Sequence, residues 1–194
     1  MGNNLTILLI DSDYIKERST IMSNVEDAFI TPHVFAAQDI YIQQILGSNL
    51  YDAMMTDFVQ SAQTFASSKY VTLNESYIQP CLLYYTLYEC IDDLYAKYTN
   101  KSIVVQNSEN STVISEEYLS KRKDDYLNKA EYYSQRITNY LLDNQTTYTE
   151  YLTSDGDISD IHPETNAYTH GGWYLKNTGN KWCENSPYTR FHNL

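Results

Sequence analysis

Apolar residues return every three or four positions through most of the first 145 residues of this 194-residue chain, the period of an amphipathic helix. Val34, Ala37, Tyr41 and Ile45 set the first stripe, with Phe35, Gln38 and Ile42 on its flank. Thr31 and Pro32 predict its start, because Thr caps well and Pro suits the first helical position; residues 24–30 offer one extra turn ahead of it. Gly47 predicts its end, and Ser48 a cap for the next helix. Leu50, Tyr51, Met54, Met55, Phe58 and Ala62 form that second stripe, which runs out at Ser67, Ser68 and Lys69. The two helices make a hairpin with almost no linker.

A long third helix is predicted over residues 74–99, capped by Asn74 or by Thr72. Tyr77, Cys81, Tyr84, Tyr88, Ile91, Tyr95 and Tyr98 make one stripe, and Leu83, Leu87, Cys90 and Leu94 make a second beside it. Apolar character on most of the circumference predicts a central helix. Pro80 either kinks it or marks its true start. Two β-branched runs, 103–105 and 113–114, flank a polar stretch and predict a short β-hairpin or an ordered loop. Ser115, Glu116 and Glu117 then open a fourth helix, whose stripe of Leu119, Arg122, Tyr126, Ala130, Tyr133, Ile137 and Leu141 ends near Asp143 and Asn144.

The pattern fails at both ends. Residues 1–24 read as an N-terminal arm, with 5–10 able to pair as a short strand or to lie along a neighbour. Residues 145–194 hold four of the six glycines and two of the four prolines, and their apolar residues are sparse and mostly aromatic. The expected organisation is therefore an arm over 1–24, a helical domain over 25–144 and an extended aromatic tail over 145–194. The fold class is mainly α: a small four-helix bundle with a short β-hairpin and a long irregular C-terminal tail. Aromatic residues anchor protein interfaces, so Tyr168, Trp173, Tyr174, Trp182, Tyr188 and Phe191 are the candidate interface residues.

Composition adds two anomalies: 20 tyrosines and a net charge of −12, from 25 acids and 13 bases. Ten tyrosines lie between Tyr77 and Tyr133, where they suit a helical core with wet edges. Residues 1–114 carry 13 acids and 5 bases, so the acidity belongs mainly to the helical body. Such a charge opposes sequence-independent nucleic-acid binding. The densest basic cluster, Lys121, Arg122 and Lys123, is followed at once by Asp124 and Asp125 and reads as a solvated helix face. Three cysteines, Cys81, Cys90 and Cys183, fit no zinc or redox spacing and suit a reducing compartment. Five Asn-X-Ser/Thr triplets lack a signal-peptide pattern to support them. The opening residues match an N-myristoylation pattern that needs a eukaryotic transferase. No stretch reaches the roughly 20 apolar residues that span a bilayer.

Candidate chemistry is weak throughout. His33, His162, His170 and His192 stand at no metal-ligand spacing. Asp155, Gly156, Asp157, Asp160 and Glu164 are similar to a calcium loop, but Asp160 occupies the required Gly position and Asn166 the twelfth, so a turn or capping role is preferred. Asp92 and Asp93 diverge by about 100° on a helix and read as a solvated edge rather than an acid/base pair. No glycine lies between Gly47 and Gly156, which leaves no Gly-rich phosphate loop in the body. No catalytic residue, cofactor or metal is expected.

The segment Ile30-Thr-Pro-His-Val-Phe-Ala-Ala-Gln-Asp-Ile-Tyr-Ile-Gln-Gln-Ile-Leu-Gly-Ser-Asn-Leu-Tyr51 resembles the opening of head–tail connector (head-completion) proteins of tailed bacteriophages. It is similar to the versions in phages of Bacteroides-type hosts, including the crAss-like group, where they are called ring proteins. Tyr77-Ile-Gln-Pro80, Thr99-Asn-Lys-Ser-Ile-Val-Val105 and Ala130-Glu-Tyr-Tyr-Ser-Gln-Arg-Ile-Thr-Asn-Tyr-Leu141 extend the likeness over roughly residues 20–145. Where connectors carry Gly after the Asn-Lys pair, this chain has Ser102. The resemblance implies a small helical subunit that assembles with itself, usually as twelve copies, into a ring in the virion. The ring would bind the portal protein on one side and the tail or a next ring protein on the other, at the head–tail junction, after synthesis in the host cytoplasm. Genomic DNA would pass through its channel without sequence-specific binding, and no membrane would be involved. No catalytic residues come with the resemblance. A monomeric or dimeric helical adaptor that binds one protein partner through the aromatic tail is the second reading, and an enzyme the third.

Overall fold

A computed structural model of the chain describes residues 7–21, 23–61, 64–98, 103–105, 115–152 and 161–163. The chain is mainly α-helical. Its elements are α1 (Ser12–Arg18), α2 (Asp27–Ala37), a π-turn (Gln38–Ile42), α3 (Gln43–Gln60), α4 (Ser68–Leu73), a second π-turn (Asn74–Ile78), α5 (Gln79–Tyr95), β1 (Ala96–Tyr98), β2 (Ile103–Val105), α6 (Glu116–Asp143) and a 3₁₀ turn (Thr149–Tyr151). The centre is α5, which buries Cys81, Leu82, Leu83, Tyr85, Thr86, Leu87 and Cys90 between α2 and α6. That is most of a helix circumference, as its doubled apolar stripe predicts.

Helix α6 begins where the sequence places it. Ser115 is the N-cap and its hydroxyl accepts a hydrogen bond from the Tyr118 amide at 3.3 Å, while Glu116 and Glu117 sit in the first turn. Its buried face is Tyr126, Ala130, Ile137, Thr138 and Leu141.

Several starts differ from expectation. Helix α2 begins at Asp27, and Thr31 and Pro32 lie inside it. Pro32 removes one hydrogen bond, to the carbonyl of Ala28, and Ala28 is exposed, so water can serve that carbonyl. The Thr31 hydroxyl donates to the Asp27 carbonyl at 2.9 Å instead of capping. The helix containing Pro80 likewise starts early, at Ser68, and Asn74 is a buried member of the second π-turn rather than a cap. The π-turn lies immediately ahead of the proline, where the widened coil relieves the clash of its ring with the preceding turn.

Gly47 does break the helix, at φ 73° and ψ 156°, a conformation essentially reserved for glycine. Helix α3 then ends at Gln60. The Asp57 carboxylate gathers the turn that follows, accepting from the Ala66 and Ser67 amides at 2.9 and 3.2 Å and from the Ser67 hydroxyl at 3.0 Å.

The hairpin expected between 103–105 and 113–114 is not supported. The backbone of β2 lies antiparallel to β1, with Ala96 opposite Val105 and Tyr98 opposite Ile103. The link from β1 to β2 is shorter than the link from β2 to 113–114, and a shorter link closes at lower entropic cost. Val113 and Ile114 lie outside the described residues.

Both ends of the described chain join the core. Leu9, Ile10 and Ile15, in the segment read as an arm, are buried. Tyr148 and Tyr151, at the start of the segment read as a tail, are 1% and 2% exposed. The expected pattern covers them poorly because each segment contributes only two or three core residues, too few to show a period.

Candidate functional site

Two glutamines fasten the N-terminal segment. Gln38, 3% exposed on the first π-turn, accepts from the Leu9 amide at 3.1 Å and donates to the Ile7 carbonyl at 3.0 Å and the Tyr51 hydroxyl at 2.7 Å. Its carboxamide thus pairs with residues 7–9 as a neighbouring strand would. Gln79, directly after the second π-turn, donates to the Leu9 carbonyl at 3.5 Å.

Residues 161–163 dock at the Gly47 break. The Ser48 amide donates to the Ile161 carbonyl at 2.9 Å, and the Ile161 amide donates to the Ser48 hydroxyl at 3.1 Å. A Cβ on Gly47 would stand 2.5 Å from the Pro163 Cδ, so only glycine lets the two backbones meet here. Ser48 therefore spends its side chain on this contact.

The tyrosines form the seam between α5 and α6. Tyr77 stacks on Tyr140 with ring centres 4.1 Å apart, and Tyr84 stacks on Tyr133 at 5.6 Å. Bases of α6 cover their faces: Arg136 lies 5.5 Å from the Tyr77 ring, Lys129 5.6 Å from Tyr84 and Lys123 4.9 Å from Tyr88. On the other side of α5, Tyr41 stacks on Tyr85 at 4.0 Å and its hydroxyl donates to Glu89 at 2.6 Å. Burial, reinforced by that carboxylate, raises the Tyr41 hydroxyl well above its ordinary value. The helical tyrosines thus serve as core with polar rims.

The charged candidates are also engaged. Asp92 pairs with Lys123, and Asp93 with His33 at 3.2 Å. The two carboxylates diverge as expected, but each has a partner from a different helix, which no local pattern reveals. Lys121, Arg122 and Lys123 make no joint patch: Arg122 donates to the Tyr126 hydroxyl at 3.3 Å, and Lys123 is committed to Asp92 and Tyr88. Lys69 bridges α4 to the 3₁₀ turn, with Glu150 at 2.9 Å, and the Tyr148 hydroxyl donates to the Lys69 carbonyl at 2.8 Å. Cys81 and Cys90 are free buried thiols. Burial raises both, Cys90 to about 12, so neither is a ready nucleophile.

Sequence reasoning missed an apolar pocket. Ile21, Val25, Leu87, Ile91, Leu94 and Tyr126 line a cavity of about 220 Å³ where the C-terminal half of α5 meets α6 and the residues ahead of α2. Leu94 on its wall is 39% exposed. Ile21 and Val25, four residues apart, are the one local signal, and they straddle the expected boundary between the arm over 1–24 and the helical domain over 25–144.

The candidate interface residues Tyr168, Trp173, Tyr174, Trp182, Tyr188 and Phe191 lie outside the described residues, as do Asp155, Asp157, Asp160, His170, Cys183 and His192. Among the described residues, no cluster of three or more His, Cys, Asp or Glu side chains could hold a metal ion. No described helix is long and apolar enough to cross a membrane.

No curated protein and no solved structure matches the chain. A family model does, over residues 42–160, from the first π-turn past the 3₁₀ turn. That span exceeds half of the 194 residues. The chain therefore belongs to DUF6712, a family of unknown function.

Proposed function

We propose that this chain is a structural subunit of a tailed-bacteriophage virion. In this reading it forms a ring, of twelve copies, that joins the portal to the tail and extends the DNA channel. The observation that carries the reading is the role of residues 30–51, where the resemblance to connector proteins is most continuous. That stretch supplies Gln38, which fastens the N-terminal segment, and Gly47 and Ser48, which seat residues 161–163. A segment that fixes the exit points of both chain ends is one that a ring subunit, which contacts neighbours through such ends, has reason to keep.

The charge supports the same reading. With −12 overall, a ring of these subunits would repel phosphates along its channel and let DNA slide. The chain would work as a helical connector domain with its aromatic segment as the adhesive part.

Peptide mass spectrometry of purified particles tests the assignment. The chain should be found in intact virions at a fixed ratio to portal protein. Its absence from virions, with abundance in infected cells, would favour the adaptor reading instead. A strong, salt-sensitive affinity of the isolated protein for duplex DNA would overturn the sliding-channel part.

A further inference from the structure

We infer that the outer stripe of α6, formed by Tyr118, Arg122, Lys129, Tyr132 and Arg136, docks on a second copy of this chain, at the acidic face around Asp39, Ile40 and Asp52. The inference rests on the ring reading and specifies its subunit contact.

The α6 stripe is aromatic and cationic. Tyr118, Arg122, Asp125, Lys129, Tyr132 and Arg136 follow at steps of four, three, four, three and four, so they share one face of the helix. That face is turned from the core, with Tyr118 55% and Tyr132 63% exposed. It carries three cations and one acid; Asp124 and Glu131 stand about a third of a turn away. Tyrosine rings hold the cations without neutralising them. Arg122 lies 5.2 Å from the Tyr126 ring, Lys129 5.6 Å from Tyr84 and Arg136 5.5 Å from Tyr77. Among the described residues, none of the three forms an ion pair. Tyr and Arg are residue types that carry much of the energy of protein interfaces.

The facing surface has the opposite charge. Residues 19–68, which include α2, the first π-turn and α3, contain five acids and no Lys or Arg. Asp27 is paired with Lys16, and Asp57 holds the turn after α3. Glu26, Asp39 and Asp52 are exposed. Burial raises the Tyr51 hydroxyl and the Gln38 hydrogen bond lowers it; Asp39 and Asp52 both add to the rise, which puts these two carboxylates on one side of the molecule. Ile40, beside Asp39, is 53% exposed and gives the face an apolar centre.

Placement selects a second copy. Helices α2 and α6 pack on different sides of α5, each fixed to it by its own buried residues, so the two faces cannot meet within one chain. Like faces repel and unlike faces attract. A contact between two different faces is head-to-tail, the kind that closes into rings.

Native mass spectrometry of full-length variants, alone and with portal protein, tests this. Lys129→Glu with Arg136→Glu reverses one face, and Asp39→Lys with Asp52→Lys reverses the other. Glu75→Lys, exposed on the second π-turn, is the control. Each reversal should abolish the closed oligomer that parent and control form. Mixed one to one, the two reversed chains should assemble again with copies alternating, which also shows both to be folded. Should either reversal unfold the chain, Ile40→Arg decides: it should abolish the oligomer, and an oligomer that survives it overturns the contact. Folded reversed chains that fail to assemble when mixed overturn it as well. Unchanged assembly with loss of duplex DNA binding in Lys129→Glu/Arg136→Glu would give the α6 stripe to nucleic acid instead. An oligomer that closes despite the reversals overturns this contact alone. Reversal-sensitive association that mixing rescues but that never closes overturns the ring alone, and a parent that never self-associates overturns both.

Discussion

Ser48 and Ile161 exchange hydrogen bonds across 113 positions of sequence, one through the Ser48 amide at 2.9 Å and one through its hydroxyl at 3.1 Å. The contact sits on the Gly47 break, with Pro163 packed where any side chain at 47 would stand. Gly47→Ala should therefore destabilise the protein by about 1–3 kcal/mol, from backbone conformation and the displaced Pro163 together. Ser48→Ala, which removes only the hydroxyl acceptor, should cost about 1 kcal/mol. Urea unfolding of both variants checks the order; Gly47→Ala as stable as the parent would show that residues 161–163 do not dock there.

Gln38 is the buried counterpart at the other end of the chain. Gln38→Leu keeps the volume but removes the acceptor of the Leu9 amide, 3.1 Å away, and the donor to the Ile7 carbonyl. A loss of about 1–3 kcal/mol is expected. Amide hydrogen exchange gives the sharper signature: protection at Leu9 should fall in Gln38→Leu while α6 retains its own.

Much of this fold is legible in the sequence, and what is not has several physical causes. The start of α6 is written locally, in Ser115 and the two glutamates after it, and the structure uses those signals. The doubled stripe of α5 likewise announces a central helix. What was not legible depends on partners far apart in sequence: Asp92 with Lys123, Asp93 with His33, Gln38 with residues 7–9. The two π-turns leave no composition signal, because they differ from α-helix by a single shifted hydrogen-bond register. Pro32 does not mark a helix start here, because a proline is tolerated deeper in a helix where the freed carbonyl reaches water. The pocket escaped because its walls come from three separate segments.

The Lys69–Glu150 pair predicts a pH dependence. Burial alone would raise the Glu150 carboxyl, but hydrogen bonds from Lys69 and the backbone outweigh it and hold it below the usual carboxylate range. Its contribution is present above the ordinary carboxyl value of about 4.3 and is lost as pH falls through the lower folded value. Burial lowers Lys69 while Glu150 raises it, for a net rise, so its contribution persists below about 10.4 and fades as pH climbs through the higher folded value. Glu150→Gln should thus cost on the order of 1 kcal/mol or less between those limits, and the deficit should vanish in acid. Melting curves at acid and neutral pH for parent and variant would show it; a deficit that grows in acid would contradict the assignment.

The buried thiols should be silent in the folded state. Burial raises Cys81 and Cys90, and neither is accessible. Iodoacetamide at neutral pH should leave both unmodified in native protein and label both after denaturation, read by peptide mapping. Native labelling of Cys90 would contradict its burial against the neighbouring helices.

The ring is the central claim, and the mass of the assembled species tests it most directly. Native mass spectrometry of the full chain, alone and with portal protein added, should find a closed oligomer of twelve copies of the 22.5 kDa subunit. A chain that stays monomeric or dimeric in both conditions would contradict the account and favour an adaptor.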